Sequence, residues 1–300
     1  MDIVGTYGKI GDSIDNKKLF LKKIKEKNMN EVYKIEKESN LLTFLSNYYD
    51  TKTIKRFLKY KMVFVNSKEV SNVNTKLNVK DTLLIVKRSK DLFILYEDKD
   101  IIIVYKPYKL LTIADKKEKE NTLYHKVSSY LKNNNKNAHV FVVHRLDFET
   151  SGIVIFAKSK RVQDLLQNNW SDVTRKYLCV VHGIFKNNKT LKYYLKENKA
   201  LMVYPSKDGV LSITDVMPIK NNSKYTLLKL NIKTGKKHQI RVSLKEEGYP
   251  VLGDTKYGID DKFKHLYLCA SELEFNHPVM GKKISIKWYL TDEYKKIVNS

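Results

Sequence analysis

The sequence predicts an α+β protein with a mixed, largely antiparallel central sheet, flanking helices and a small basic domain in front. Two observations support the central sheet: beyond residue 91, strand-like segments outnumber helical ones, and the two kinds do not alternate strictly. Strict alternation would instead indicate a doubly wound parallel sheet. A third observation supports the domain in front, where two short helical patterns share one cationic face.

The charge of the chain points to a polyanionic partner. Its 300 residues include 57 Lys plus Arg against 33 Asp plus Glu, a formal net charge of +24. A basic surface gains affinity for nucleic acid by releasing counterions from the phosphates. A lysine-rich composition from an AT-rich genome would give the same excess, so charge alone does not decide. The hydrophobic fraction of 42% is enough for a sizeable core and argues against disorder by composition.

Cysteine use and hydropathy bound the cellular setting. The two cysteines, Cys179 and Cys269, are far apart and fit neither a zinc site nor a disulfide framework. The first residues lack the cationic start and apolar stretch of a secretory signal. The longest aliphatic runs are too short to span a bilayer. We therefore expect a cytoplasmic protein without metal or membrane association.

The first 88 residues divide into an extension and a compact unit. The segment 1–36 is polar and lysine-rich, with a weak helical pattern and no indicated role. In the predicted domain 37–88, Ser39 is a candidate N-cap, and Ile54 and Phe57 fall at helical spacing in a second helix. The strand-like segments MVFVNSKEV and KDTLLIVKR complete the unit. The outer face of the second helix carries Lys52, Lys55, Arg56 and Lys59.

After a short linker, KRSKD at 87–91, the pattern changes to that of a larger domain over 92–298. An acidic turn joins its first two predicted strands, and no internal repeat is visible. The strand-like segments are LFILYED, DIIIVYKP, FVVHRLD, GIVIFAK, RKYLCVVHG, YTLLKLNI and KISIKWYL. The helical ones are TLYHKVSSYLK, SKRVQDLLQNNW and HQIRVSLKEEG.

The segment FVVHRLDFETSG places charged residues just past a strand-like run. A loop at a strand end is a common position for a catalytic group, because the scaffold holds the loop while the loop exposes the side chain. The Asp147 carboxylate could act there as a nucleophile or a base. Arg145 keeps its positive charge at any relevant pH. For this segment alone, a structural ion pair between Arg145 and Asp147 is the simpler interpretation.

Further segments change that interpretation. HRLDFETSG matches the HRLDxxTSG signature of the RluA-type pseudouridine synthases at every defined position. The chain resembles this family from residue 92 to about 290, because other family blocks occur in the expected order. They are VYKP (104–107), RKYLCVVHG (175–183), TGKKHQIR (234–241), GYPVLGDTKYG (248–258) and HPVMGKK (277–283).

Residues 38–88 resemble the small αL-type RNA-binding domain first seen in a ribosomal protein of the small subunit. With the blocks that follow, this resemblance implies the two-domain layout of the family and its pseudouridine synthase fold. It also implies that the cationic helix face contacts RNA. A plain amphipathic helix pair with a solvated charged face is the alternative.

The family resemblance implies a reaction without cofactor or metal. A pseudouridine synthase breaks the N-glycosidic bond of a uridine in RNA, turns the base and rejoins it through carbon 5. Asp147 matches the essential aspartate of the family. It would attack the sugar or the base, or take a sugar proton to form a glycal, and the sequence leaves these routes open.

The same resemblance assigns roles to several other side chains. Tyr177 matches the tyrosine that stacks on the target uracil and is the proposed base for the carbon 5 proton, although a core aromatic on a strand would look the same. Arg241 matches the basic residue that pairs with the aspartate and keeps it ionised. Asp147 is thus expected to pair with Arg241, while Arg145 fills the space left by the flipped uridine. His144 is expected to support the loop. The remaining substrate-binding candidates, with His144, are Lys106, Lys236, His238 and Gln239.

The chain departs from the family pattern at a few positions. Lys176 stands one place later than the lysine of many members. Four others concern RNA contacts and local packing and leave the proposed catalytic residues intact. They are Lys109 in place of glycine, Lys236 in place of arginine, Ser243 in place of histidine and Cys269 in place of histidine.

Large-subunit ribosomal RNA is the expected substrate, with transfer RNA as the alternative and a monomer as the default state. A non-catalytic RNA-binding or ribosome-assembly factor would explain the charge and the first domain equally well. A glycosidase needs a second carboxylate near Asp147. Glu149 is the near candidate, at a variable position of the motif.

Overall fold

The computed structural model describes residues 31–89, 92–263, 265–288 and 292–299. Strands and a few helices form a mixed α+β fold with a large, mostly antiparallel sheet, which confirms the predicted class. The weak helical pattern that the sequence places before residue 31 lies outside these residues. None of the described helices is both long and apolar enough to cross a membrane.

The elements are numbered along the described chain. The strands are β1 Glu31–Lys34, β2 Ser39–Asn40, β3 Val63–Val65, β4 Lys68–Glu69, β5 Lys76–Leu77, β6 Thr82–Ile85, β7 Lys87–Ser89, β8 Leu92–Glu97, β9 Ile101–Lys106, β10 Phe141–Val142, β11 Ser151–Ala157, β12 Thr174–His182, β13 Lys189–Glu197, β14 Val203–Pro205, β15 Val210–Asn221, β16 Tyr225–Ile232, β17 Leu268–Asn276 and β18 Lys283–Lys287. The helices are α1 Leu41–Ser46, α2 Thr51–Lys59, α3 Leu123–Asn134, α4 Lys160–Asn168, α5 Gln239–Glu246 and α6 Asp292–Asn299.

The first unit packs α1 and α2 against a four-stranded antiparallel sheet in the order β1-β6-β3-β4. The N-cap of α1 is Asn40, whose side-chain oxygen accepts the Thr43 N–H at 2.7 Å, so the predicted cap Ser39 is one residue too early. Helix α2 buries Ile54 and Phe57 and exposes all four cationic side chains of its predicted outer face. The periodicity of this helix was therefore readable from the sequence.

Two short segments differ from their sequence-based description. Glu31–Lys34, which the sequence places in the extension, pairs with β6. Lys87–Ser89, in the predicted linker, pairs with β8 at the edge of the larger sheet. Both are short polar strands, whose alternation is too brief to distinguish them from coil.

The larger sheet contains twelve of the described strands. Its main path runs β14-β13-β15-β16-β12-β17-β11-β9-β8-β7, with β10 beside β11 and β18 beside β17. The β11–β17 pairing is parallel, and the other pairings of the described strands are antiparallel. Strands β13 to β15 and β17 were not predicted, because polar residues interrupt their apolar alternation.

Each face of this sheet has its own core. One core includes Val154, Phe156 and Tyr177 and is covered by α3 and α5. The other includes Ile153 and Ile155 and is covered by α4 and α6. Neighbouring residues of β11 thus point to opposite faces, which is why all seven of its residues are buried.

Candidate active site

The loop after β10 carries Asp147 and is held by side chains rather than by strand pairing. Of FVVHRLD, only Phe141–Val142 forms a strand. The Thr112 hydroxyl accepts the Leu146 N–H at 3.1 Å and donates to the Leu146 carbonyl at 2.8 Å. These bonds replace the ladder of a longer strand and fix the backbone next to Asp147.

Lys106 supports this loop from the interior. Its side chain is fully buried, and Nζ donates to the carbonyl oxygens of Leu110 at 2.7 Å, Pro107 at 3.1 Å and Phe148 at 3.2 Å. Burial lowers the pKa of Lys106 to about 7. These bonds correct the predicted substrate contact, because the amine faces backbone carbonyls and is not among the residues that line the pocket.

Asp147 lies in a pocket of about 340 Å³, which we call the Asp147 pocket. Its carboxylate is 30% exposed, and the volume is within the range of about 300–1,000 Å³ usual for small-molecule sites. The structure brings together side chains separated by more than one hundred residues of sequence, from His144 to Leu268. The lining residues are His144–Asp147, Thr150, Trp170, Arg175, Tyr177, Ile232, Gly235–Arg241 and Leu268.

Tyr177, whose predicted role is to stack on the uracil, lies on β12 and lines this pocket. The pairing register of β12 against β17 shifts between Lys176 and Tyr177, where a bulge interrupts the ladder. Bulges commonly re-aim a side chain beside an active site. Burial raises the pKa of the Tyr177 phenol, and the charge of Asp147 raises it further.

Arg241 does not form the ion pair that the sequence predicts with Asp147. Its Nε and Nη2 donate to the Asp254 carboxylate at 2.8 and 2.5 Å, and Nη2 lies 2.9 Å from Glu149 Oε2. The residue is 2% exposed, and the Asp254 carboxylate raises its pKa despite the opposing effect of burial. The sequence alone does not show whether Arg241 pairs with Asp147, Glu149 or Asp254. Because Glu149 neutralises Arg241, it is also a poor second acid for a glycosidase.

His238 approaches Asp147 instead. Its Nε2 lies 3.9 Å from Asp147 Oδ2, and its Nδ1 lies 2.7 Å from the Tyr257 hydroxyl. The Tyr257 oxygen also accepts the Val203 N–H at 2.9 Å. In the tautomer whose Nδ1 accepts the Tyr257 hydrogen, the Nε2 hydrogen of His238 faces Asp147. Burial lowers the pKa of His238 to about 4, which keeps this ring neutral near pH 7.

The other predicted contacts separate into structural and exposed groups. The amide of Gln239 donates to Ile213 O and Thr214 Oγ1 and accepts from Thr234 Oγ1 and the Lys236 N–H. These four bonds use its whole hydrogen-bonding capacity, so its amide has no free donor or acceptor for a substrate, although the residue lines the pocket. Lys236, like Arg145, is exposed at the pocket rim.

His144 supports the loop, as expected. A ring nitrogen accepts the Ile155 N–H at 3.2 Å, and the ring packs 4.6 Å from the Trp170 ring. Burial lowers its pKa to about 3, so the ring is neutral. Any contact of His144 with a substrate would come from the part of the ring that lines the pocket.

Sequence reasoning did not identify Arg175 and Trp170, which line the pocket wall. Lys176 was noted beside Tyr177, but it pairs with Glu272 at 3.2 Å and does not line the pocket. Strand alternation could have identified Arg175, because it is two residues from Tyr177 and such residues share a face of the strand.

Lys109, one of the departures from the family pattern, adopts a left-handed backbone conformation with φ +56°. Glycine would adopt this conformation at a lower steric cost. Ser243 and Cys269, two other departures, are buried.

One group of possible metal ligands lies outside the Asp147 pocket. Ligand atoms of Asp98, Asp100 and His277 are all within 4.8 Å of one another. The Nδ1 of His277 accepts the backbone N–H groups of Val279 and Met280, so its hydrogen is on Nε2, 2.9 Å from Asp98. A ring in this tautomer has no lone pair to offer a cation, so these residues do not fit a metal site.

Comparison with known proteins gives one consistent result. The model of the RNA pseudouridylate synthase family matches residues 100–246. A protein of Aquifex aeolicus (strain VF5), described as an uncharacterized RNA pseudouridine synthase, is 30% identical over 83% of this chain and 90% of its own. The chain also resembles solved structures: human RNA Pseudouridylate Synthase Domain Containing 1 superimposes with a TM-score of 0.55 at 22% identity, covering 66% of this chain and 83% of that one, which shows the shared fold.

Relatives with named substrates fall into two groups. The ribosomal large subunit pseudouridine synthase C of Buchnera aphidicola subsp. Acyrthosiphon pisum is 29% identical over 80% of this chain and 81% of its own. The tRNA pseudouridine synthase C of Haemophilus ducreyi is also 29% identical, over 70% of this chain and 95% of its own.

Proposed function

The chain belongs to the RNA pseudouridylate synthase family, and from this membership we propose that it converts specific uridines of large-subunit ribosomal RNA to pseudouridine. Membership makes it an RNA pseudouridine synthase. The observation that supports the residue roles is the Asp147 pocket itself, where a partly exposed carboxylate and a buried tyrosine face one cavity with a cationic rim.

Asp147 acts on the uridine after the nucleotide has left the RNA stack. The Nε2 of His238 lies 3.9 Å from its carboxylate, and Arg241 holds the loop through Glu149. Tyr177 stacks on the uracil. Because burial raises the pKa of Tyr177 and keeps its phenol protonated, stacking suits it better than accepting the carbon 5 proton. Arg145, exposed at the rim, enters the space that the uridine leaves.

Ribosomal RNA is favoured over transfer RNA because of the unit in front of the pocket. Its helix α2 presents four exposed cations on one face, beside the resemblance of the unit to an αL-type domain. A second docking surface suits a large, folded RNA. Relatives named for either substrate match this chain, so transfer RNA stays the alternative. A monomeric, cytoplasmic protein remains a prediction.

The test is pseudouridine mapping in a strain that lacks the gene, complemented with the wild type or with Asp147→Asn. We expect the wild type to restore one or a few sites in large-subunit ribosomal RNA and Asp147→Asn to restore none. Asp164→Asn, on the surface of α4, is the matched control and should behave as the wild type. Restoration of transfer RNA sites alone would assign the alternative substrate, and identical maps for the wild type and Asp147→Asn would overturn the catalytic role of Asp147.

A non-catalytic role in ribosome assembly is the second candidate, supported by the cationic face of α2. It predicts that Asp147→Asn rescues the growth of the deletion strain although it forms no pseudouridine. Growth and mapping therefore have to be measured on the same strains.

A further inference from the structure

Arg175 is a buried cation without a carboxylate partner among the described residues. The residue is 8% exposed, and its Nε has no hydrogen-bond partner. Its polar contact is a long one, from Nη2 to the Lys233 carbonyl oxygen at 3.4 Å. A buried charge is normally paired, because leaving it unpaired costs free energy. The free donor of Arg175 therefore calls for an explanation.

The position of this side chain is fixed by its surroundings. Its guanidinium carbon lies 5.7 Å from the Trp170 ring centre, and a Cβ added to Gly235 would lie 3.1 Å from Nη1. The side chain is thus held between an aromatic ring and a backbone with little room for a larger residue. It lines the Asp147 pocket beside Tyr177.

The other cations near the pocket are bonded to protein groups or are exposed to water. Arg241 is neutralised by Asp254 and Glu149. The amine of Lys106 is directed to three backbone carbonyls. Arg145 and Lys236 are exposed at the rim, where water screens them. Within the described part of the pocket, Arg175 is the buried cation with an unused donor.

The reaction creates a negative charge that needs such a donor. If Asp147 attacks the sugar, its oxygen bonds to C1′ while the C1′–N1 bond breaks, and the electron pair stays on the uracil. If a sugar proton moves to Asp147 instead, the same bond breaks and the same pair stays on the ring. If Asp147 adds to C6 of the base, the C5=C6 pair moves towards the exocyclic C4 carbonyl oxygen, and the C1′–N1 bond then breaks with its pair left on N1. In each route C5 of the turned base bonds to C1′ while the bond to Asp147 breaks or the sugar proton returns. The C5 proton then passes to a base, and N1 ends protonated.

We propose that Arg175 is a further catalytic residue, whose guanidinium donates to an oxygen of the flipped uracil and stabilises the negative charge of the ring. The inference rests on the proposed function. A donor that is already positioned in a site with little water stabilises developing charge without a cost of reorganisation. A guanidinium suits this role because it stays protonated and presents donors in a fixed plane.

The experiment compares two versions of one RNA, a transcript in which the wild type forms pseudouridine. The target position carries either uridine or 5-fluorouridine, and loss of the original nucleoside is followed under single-turnover conditions. Fluorine withdraws electrons and stabilises the ring anion by itself. For Arg175→Met we expect a loss of about 100-fold in the rate with uridine, typical for removal of one such donor, and a clearly smaller loss with 5-fluorouridine.

Two further variants make the result interpretable. Arg175→Lys keeps the charge without the planar donors and should fall between the wild type and Arg175→Met on both RNAs. Arg161→Met removes an exposed arginine of α4 and should leave both rates unchanged. The unfolding temperature of each variant shows whether it is folded. If Arg175→Met does not fold, the rates of Arg175→Lys on the two RNAs are compared instead.

Equal losses on the two RNAs would overturn the proposal. The proposal would also be overturned if Arg175→Met lowered only the affinity for RNA and reduced the slope of log affinity against log salt by about one. That pattern would mean that Arg175 contacts a phosphate. Failure of the proposed function is recognised separately, because it concerns whether the wild type modifies any RNA at all.

Discussion

At the residue scale, the main finding concerns what surrounds the Asp147 carboxylate. The arginine expected to pair with it is bonded to Asp254 and Glu149, and a neutral histidine occupies the near position. His238 has a left-handed backbone with φ +51°, uncommon for a residue with a side chain. Such conformations persist where surrounding contacts demand them, and here the bond to Tyr257 does so.

This arrangement predicts the effect of Tyr257→Phe. The change removes the hydroxyl that is hydrogen-bonded to His238 Nδ1 and accepts the Val203 N–H. We expect a lower kcat with little change in KM, because His238 is then free to turn its hydrogen away from Asp147. Stability should fall by about 1–3 kcal/mol, since the buried Val203 N–H loses its partner.

The tautomer of His238 can be followed directly by ¹⁵N NMR of the ring nitrogens. Tyr194→Phe removes the hydroxyl of an exposed tyrosine and serves as the control. An unchanged Nε2–H signal in Tyr257→Phe, together with unchanged kcat, would contradict the positioning role.

At the element scale, the parallel contact of β11 with β17 joins the Asp147 loop to the centre of the sheet. Gly152, the second residue of β11, has φ +129°, and a Cβ there would lie 2.4 Å from the backbone N and O of Ala270. The last residues of the TSG motif thus allow two strands to approach closely, directly after the loop.

Gly152→Ala should therefore be more destabilising than an alanine at another glycine with positive φ. Gly248, after α5, has φ +83° and nothing within 4 Å of an added Cβ, so Gly248→Ala isolates the backbone strain. We expect Gly152→Ala to cost about 1–3 kcal/mol more, because the strands must separate. Urea unfolding of both variants measures the difference, and equal costs would show that β17 moves away without penalty.

At the scale of the whole molecule, the pocket and the cationic face of α2 are separate features. The pocket holds the reactive groups, while the cations of α2 lie on the surface of the first unit. Exposed cations act on RNA through phosphates, so their contribution falls with ionic strength, whereas a buried contact is screened less.

Replacing Lys52, Lys55, Arg56 and Lys59 together by Ala should weaken RNA binding and flatten its salt dependence. Each lost phosphate contact lowers the slope of log affinity against log salt by roughly 0.7–0.9. Single-turnover rates at saturating protein should change little. The control replaces four exposed lysines of the C-terminal half, Lys220, Lys224, Lys287 and Lys296. Equal slopes for the two variants would exclude a docking role of α2.

The sequence by itself determined the fold class, the elements with clear periodicity and the family, and it predicts which residues carry the chemistry. These are local properties: α2 buries its apolar positions, and β11 is apolar throughout. Only the tertiary structure decided which charges meet. From the sequence, Arg241 could pair with Asp147, Glu149 or Asp254, and Arg175 could be a strand residue without a role in the pocket. Such choices depend on distances of a few ångströms between segments far apart in sequence, because buried charges gain or lose several kcal/mol with their partners.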